Sequence, residues 1–156
     1  GIPVTVVPRT KRGFDDETSR KIFDLIRGGR TDLVILAGFL TLINIPSDYE
    51  GRVINVHPSL IPSFCGHGFH GSRVHQAAVD MGVKVSGCTV HFADETFDTG
   101  PIIVQRPVPV FHDVTAETLA ARVFGQECEA LPEAISLYAA GRLQLDGRRV
   151  RILPED

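Results

Sequence analysis

The sequence predicts an α/β fold, a mainly parallel central sheet with helices packed against it. Three observations carry this. Short all-apolar runs at residues 33–36 and 53–56 stand between longer amphipathic stretches. Strand and helix signals alternate along most of the 156 residues, the order that builds βα units. No repeat, low-complexity tract or linker divides the chain, so one domain is expected over residues 1–156.

The elements follow in order. Residues 4–7 are rich in β-branched side chains and predict a short buried strand. Asp15 and Asp16 can cap a helix that runs to about Arg27, with Ile22 and Ile26 on its inner face and Gly28-Gly29 ending it. Residues 33–36 read as a strand covered on both faces. Residues 53–56 read as a second such strand, ended by Pro58. A glycine-rich loop at 66–71 leads into a helix at 72–80, closed by Gly82. A longer strand at 83–92, a polar turn and a strand at 102–108 come next. Thr115 caps a helix that continues past Pro132 to Gly141, and the proline is expected to kink or divide it. Residues 143–145 and 150–153 predict two weak final strands.

Composition narrows the class. Hydrophobic residues make up 43% and charged residues 22%, ordinary for a soluble globular protein. A net charge of −3 gives no basis for a nucleic-acid or anionic-membrane partner. The longest apolar run, residues 33–40, is too short to span a bilayer. No signal-peptide pattern is seen, and three cysteines at irregular spacing, Cys65, Cys88 and Cys128, argue against a disulfide framework. A reducing, cytoplasmic setting is the expectation.

In sheets of this kind ligands bind at the carboxyl ends of strands. Attention therefore falls on the residues after Leu36, Val56 and Phe92. Asn55 and His57 lie two apart on one apolar strand, so both side chains share a face. An amide donor and an imidazole aimed at one point suit an oxygen that becomes negative in a transition state. A capping asparagine and a structural histidine are the plainer reading of the same pair. Asp98 can reach the His57 imidazole, raise its pKa and accept a proton. It can also be an ordinary turn aspartate, since Asp-x-Gly-Pro is common turn chemistry.

Taken together the segments are more specific. Asn55-Val56-His57-Pro58-Ser59-Leu60-Ile61-Pro62, then His91-Phe92, then Asp98-Thr99-Gly100-Pro101-Ile102-Ile103 resemble the formyltransferase family that uses 10-formyltetrahydrofolate. Residues 36–40, 51–54, 85–92 and Gln126-Glu127 resemble it as well, so the similarity runs from Gly1 to about Leu145. The resemblance implies a Rossmann-like formyltransferase fold without its first strand–helix unit. It implies catalysis by Asn55, His57 and Asp98: Asn55 holds the formyl oxygen, His57 is the charged donor, and Asp98 keeps His57 protonated and relays the amine proton. Leu40, Thr41, Leu42 and Ile43 would line the pterin pocket, and Asp94, Glu95, Thr96, Phe97 and Asp98 would close over it. Gly38, Val56, Pro58 and Glu127 would contact the second substrate.

The implied reaction is formyl transfer from 10-formyltetrahydrofolate, a co-substrate, to the amine of glycinamide ribonucleotide in purine biosynthesis. Hydrolysis of 10-formyltetrahydrofolate, an inert folate-binding domain and, more distantly, formylation of a sugar amine are the alternatives. No metal is implied, the partners are small molecules, and a monomer or a homodimer is expected. The family's first unit carries a glycine-rich phosphate loop that this sequence lacks, so the chain is expected to be N-terminally truncated. Arg12 is the candidate for the family's basic residue near the phosphate. Outside the trio, Cys65, His67 and His70 form a weak metal pattern. His75 is expected on an exposed helix face, His91 as a satisfied histidine near the site and His112 on a surface loop. Arg148, Arg149 and Arg151 are expected in a solvated tail.

Overall fold

The computed structural model describes residues 1–8 and 14–155. Three helices, α1 (Asp16–Gly28), α2 (Ser72–Asp80) and α3 (Ala116–Ala139), flank a six-stranded sheet. Its strands are β1 (Val34–Leu36), β2 (Val53–His57), β3 (Val85–Phe92), β4 (Ile102–Pro109), β5 (Leu143–Asp146) and β6 (Arg149–Ile152). They lie in the order β1-β2-β3-β4-β6-β5. The α/β class and nearly every expected element are present.

The sheet is mixed rather than mainly parallel. β1 with β2 and β4 with β6 run parallel, while β2 with β3, β3 with β4 and β5 with β6 run antiparallel. For β3 and β4 the cause is the connection. A short turn after Phe92 returns the chain directly alongside β3, and only antiparallel neighbours can be joined so briefly. β1 is half-buried rather than covered on both faces, because among the described residues it is the sheet's edge and bonds only to β2. Residues 4–7 form no strand. Val4 is 83% and Val6 84% exposed. A β-branched run becomes a strand only where a neighbour takes its backbone bonds, and no described residue does so here.

Local rules explain the helices. Asp15 caps α1 by accepting from the Thr18 amide at 2.8 Å. Its deepest residue is Phe23, with Ile22 and Ile26 packed less deeply beside it. Thr115 and Thr118 form a reciprocal capping pair at the start of α3. Pro132 lies inside α3 without dividing it. A mid-helix proline costs about 3 kcal/mol, and Leu119, Val123, Ala130 and Ala134 offset this by burying one face completely. Ile54, Cys88, Val90 and Phe92 of the sheet complete that core, and Phe23, Ile43, Tyr49 and Val53 form a second core under α1. Arg148, Arg149 and Arg151 belong to the β5–β6 hairpin rather than a tail, and the Arg148 guanidinium donates to the Thr99 carbonyl. Among the described residues no helix is long and apolar enough to cross a membrane.

Gly100, buried in the turn that carries Asp98, is where the fold is least forgiving. A Cβ there would sit 1.8 Å from the Phe92 carbonyl oxygen. Phe92 in turn donates its amide to Pro101 at 2.9 Å, which pins the turn against the end of β3. Gly100→Ala is expected to destabilise the chain by roughly 1–3 kcal/mol through overpacking, as read by chemical denaturation. An unchanged midpoint would contradict this packing.

Candidate active site

β2 brings Asn55 and His57 to one end of the sheet, and antiparallel pairing sets His91 of β3 directly opposite Asn55. The turn after β3 then brings Asp98 in from the side. Its φ of 57° is the left-handed conformation, which aspartate tolerates better than most residues. All three expected catalytic residues therefore meet, joined by His91.

The hydrogen bonds are directional. His91 Nδ1 lies 2.8 Å from the Phe92 carbonyl, so it carries the proton and leaves Nε2 as an acceptor. The Asn55 amide nitrogen donates to that Nε2 at 3.1 Å. This fixes which way the Asn55 side chain points. The second hydrogen on the same nitrogen faces Asp98 Oδ1 at 3.5 Å, a long contact. His57 Nδ1 is also 3.5 Å from Asp98 Oδ2. Asp98 receives one short bond, 2.9 Å from the Gly66 amide. Asp98 thus lies close to both Asn55 and His57 and holds the second Asn55 hydrogen only weakly.

His57 Nε2 lies 2.9 Å from the Phe64 carbonyl. It donates there, so in a neutral ring the bare Nδ1 lone pair faces a carboxylate. That arrangement favours a second proton on Nδ1, yet burial wins. Burial lowers the His57 pKa below its ordinary 6.5, against the raising effects of Asp98 and the Phe64 carbonyl. The expected raising effect of Asp98 is present, but the ring is only 6% exposed, and desolvation of its charged form outweighs one carboxylate at 3.5 Å. For Asp98, burial pushes upward. The His91 ring 3.7 Å away, the Gly66 hydrogen bond and the His57 charge outweigh it and hold the carboxyl below its ordinary range.

Two cavities meet at this point. A wide cleft of ≈ 980 Å³ is lined by Gly38, Asn55, Val56, His57, Pro58, Asp98 and Glu127, together with the 66–73 loop and the first turns of α3. A narrow one of ≈ 50 Å³ is lined by Thr41, Leu42, Ile43, Asp94 and Thr96. Phe39, Asn55, Phe97 and Asp98 line both. Leu40 faces the wide cleft rather than the narrow one, and Glu95 lines neither. The narrow cavity is well below the roughly 300 Å³ at which small-molecule sites begin. The 94–98 segment bonds to itself, with Thr99 Oγ1 donating to Asp94 at 2.7 Å and the Thr96 amide doing so at 3.2 Å. Burial raises the Glu127 carboxyl above its ordinary value.

Other expectations change. His75 is not on an exposed face; it is 5% exposed and lines the wide cleft, because α2 turns that side toward the site. His91 is satisfied, as expected, and it also orients Asn55. His112 is exposed. Arg12 lies outside the described residues. Cys65, Cys88 and Cys128 are free thiols. Sequence reasoning missed Phe64, whose carbonyl engages His57. It also missed Thr89, which receives the Ile61 amide at 3.1 Å and donates to the Ser59 carbonyl at 2.6 Å, fixing the turn after His57. A threonine inside β3, which is buried at every position from Ser86 to Phe92, could have flagged Thr89; nothing local flags Phe64.

Burial lowers both His57 and His75, and the His57 charge lowers His75 further. The folded chain therefore takes up these protons less readily than the unfolded chain does. Their contribution to stability is full above about pH 6.5 and is lost as pH falls through the folded values. Thermal unfolding followed between about pH 8 and pH 5 is expected to show a flat plateau and then a decline, and His75→Gln should reduce the decline. A flat profile throughout would contradict the burial of the two rings.

Comparison with known proteins gives the family. A chloroplastic phosphoribosylglycinamide formyltransferase of Vigna unguiculata is 40% identical over 145 residues, covering 92% of this chain and 46% of that protein. The chain thus spans about half the length of the plant relatives it matches. Glycinamide ribonucleotide transformylase 1 from Symbiobacterium toebii superposes with a TM-score of 0.81 at 42% identity, covering 88% of this chain and 63% of that one. A formyltetrahydrofolate deformylase from Pseudomonas syringae pv. tomato superposes with a TM-score of 0.85 at 26% identity, covering 98% and 50%. The formyl transferase family profile matches residues 1–135, and this chain belongs to that family.

Proposed function

We propose that the chain transfers a formyl group from 10-formyltetrahydrofolate to the amine of glycinamide ribonucleotide. One observation carries the reading: Asn55 and Asp98 line both cavities at their junction, with His57 beside them. A folate ring held between Thr41–Ile43 and the 94–98 segment would bring its formyl group to that junction. An amine in the wide cleft would meet it there. Gly38, Val56 and Pro58 would flank that acceptor, and Glu127 would take hydrogen bonds from its hydroxyls.

The residues divide the work. The acceptor's neutral nitrogen attacks the formyl carbon, and the carbonyl π pair moves to oxygen. The weakly held Asn55 N–H turns to that oxygen, as does a proton on His57 Nδ1; catalytic contacts that are long in the free state tighten in the complex. His57 starts neutral because burial opposes its charge, and a developing oxyanion beside it favours the charged ring. Asp98 accepts the proton leaving the attacking nitrogen and passes it to His57 Nδ1. The carbon–nitrogen bond to folate then breaks, and the folate nitrogen keeps the electron pair and takes that proton, which leaves His57 neutral again.

A second reading is hydrolysis, with water as nucleophile. It is favoured by the close superposition on a deformylase, which covers nearly the whole of this chain. One assay separates the two. The chain is incubated with 10-formyltetrahydrofolate, with and without glycinamide ribonucleotide. Folate product only with the ribonucleotide supports transfer, product without it supports hydrolysis, and binding without turnover sinks both. The three free thiols and the ordinary charge balance favour a cytoplasmic setting.

A further inference from the structure

Helix α3 forms one wall of the wide cleft, and formyl transfer as described engages only Glu127 from it. Phe124 lies one turn before Glu127, so the two side chains share a helix face, and both line the cleft. Phe124 is 63% exposed. The cleft's other phenylalanine rings each lie against a neighbouring ring: Phe39 against Phe14, Phe69 against Phe64 and Phe97 against His67. Phe124 has no ring partner among the described residues. Covering such a ring with the apolar face of a ligand is favourable in proportion to the area removed from water.

Glu127 supplies an independent observation. It is half-buried, and its carboxyl makes no hydrogen bond and no ion pair among the described residues. Burial alone acts on it, pushing its pKa upward. Arg106, which like Glu127 acts on the buried Cys88 thiol, is taken up by Glu129 at 3.5 Å and Glu133 at 2.6 Å. The cleft's other carboxylates differ. Asp98 accepts from the Gly66 amide at 2.9 Å, and Glu117 is exposed to water. A desolvated carboxylate is costly unless donors reach it. Glu127 opens onto the cleft, so a ligand there can bring them.

We propose that Phe124 and Glu127 form a sugar subsite, in which the Phe124 ring packs against the C–H face of the acceptor's ribose while Glu127 accepts hydrogen bonds from its two adjacent hydroxyls. The choice of ligand rests on the formyl-transfer reading, under which the acceptor is a ribonucleotide, and Phe124 joins that reading as a specificity-determining residue. A ribofuranose suits the pair because it presents both chemistries at once, two neighbouring O–H donors and an apolar face. A cationic amine also suits a ring beside a carboxylate. The acceptor's amine, however, has to reach Asn55 and Asp98 where the two cavities meet, and neither Phe124 nor Glu127 lines the narrow one. The pair therefore meets the part of the acceptor behind the amine.

NMR titration of the full chain with methyl β-ribofuranoside, a sugar with no amine and no phosphate, tests the subsite without turnover. The Phe124 ring protons and the α3 amides around Glu127 are expected to shift, with intermolecular NOEs from the ring to the sugar C–H groups. Phe124→Ala, at an exposed position where alanine suits the helix, is expected to weaken binding by roughly five- to tenfold, equivalent to covering roughly 40–55 Å² of apolar surface. Glu127→Gln is expected to weaken it by roughly tenfold. Removing both adjacent hydroxyls from the probe should cost as much in the unsubstituted chain and little further in Glu127→Gln. A riboside that leaves the Phe124 ring unmoved, or that binds Phe124→Ala as tightly as the unsubstituted chain, overturns the proposal. So does glycinamide, which has the amine without the sugar, if it binds more tightly than the riboside and loses that affinity in Phe124→Ala, since the pair would then be a cation site. Riboside binding as expected by a chain that forms no formylated ribonucleotide would count against formyl transfer and leave the subsite intact. Formyl transfer with a ribonucleotide KM unchanged in Phe124→Ala would keep the reaction and overturn the subsite.

Discussion

Asn55→Ala is expected to lower kcat by roughly a hundred- to thousand-fold, the usual effect of removing one oxyanion donor. The residue's placement makes the experiment clean. Its amide nitrogen is held by His91 Nε2 at 3.1 Å, and the second hydrogen makes only a 3.5 Å contact with Asp98. Truncation removes that donor and leaves His57 and Asp98 in place. Their mutual 3.5 Å contact and the 2.9 Å bond from the Gly66 amide do not involve Asn55. The loss should therefore fall on kcat, with folate affinity largely kept, because the donor matters only once negative charge develops. Binding of 10-formyltetrahydrofolate and steady-state rates, measured on the same preparations, check both halves. Near-normal turnover would remove Asn55 from the mechanism.

How much of this was legible in the sequence depended on the range of the interaction. The capping of α1 by Asp15 and of α3 by Thr115 is a relation between residues three apart, and it was read correctly. Asn55 and His57 share a strand face by simple alternation. Their meeting with Asp98, more than forty residues away, could be expected only from the combined motif. Strand direction was not legible. The apolar runs look alike whether neighbours are parallel or antiparallel, and the turn after Phe92 decides it. His75 was misjudged because helix periodicity says which residues share a face, not what that face meets; here it meets the wide cleft. The raising effect of Asp98 on the His57 pKa was legible, and the larger opposing effect of burial was not. The opposing charge is visible in the motif, whereas burial belongs to the whole fold. Residues 4–7 mark the same limit in the backbone, since extended propensity does not provide a partner.

Asp98→Asn is expected to cost roughly a hundred- to ten-thousand-fold in kcat, the range of a positioned proton-transfer group, and to move His57 in a defined direction. The amide is nearly isosteric with the carboxylate, so its oxygen can still accept from the Gly66 amide and the turn should keep its shape. What disappears is the negative charge. In the native protein that charge opposes the burial that lowers the His57 pKa. Without it the opposition is gone, and the His57 pKa falls further. Any limb of the pH–rate profile that reports His57 protonation should move to lower pH, and NMR titration of the imidazole should show the same sense of shift. Stability carries a second sign. The Asp98 carboxyl is held below its ordinary 3.8, so it stabilises the fold above that pH and loses the contribution as acid protonates it. Asp98→Asn should therefore be less stable at neutral pH and should lose part of the native acid transition. If turnover fell while the His57 titration stayed where it was, Asp98 would act on the substrate alone, and its electrostatic coupling to the ring across 3.5 Å would be refuted.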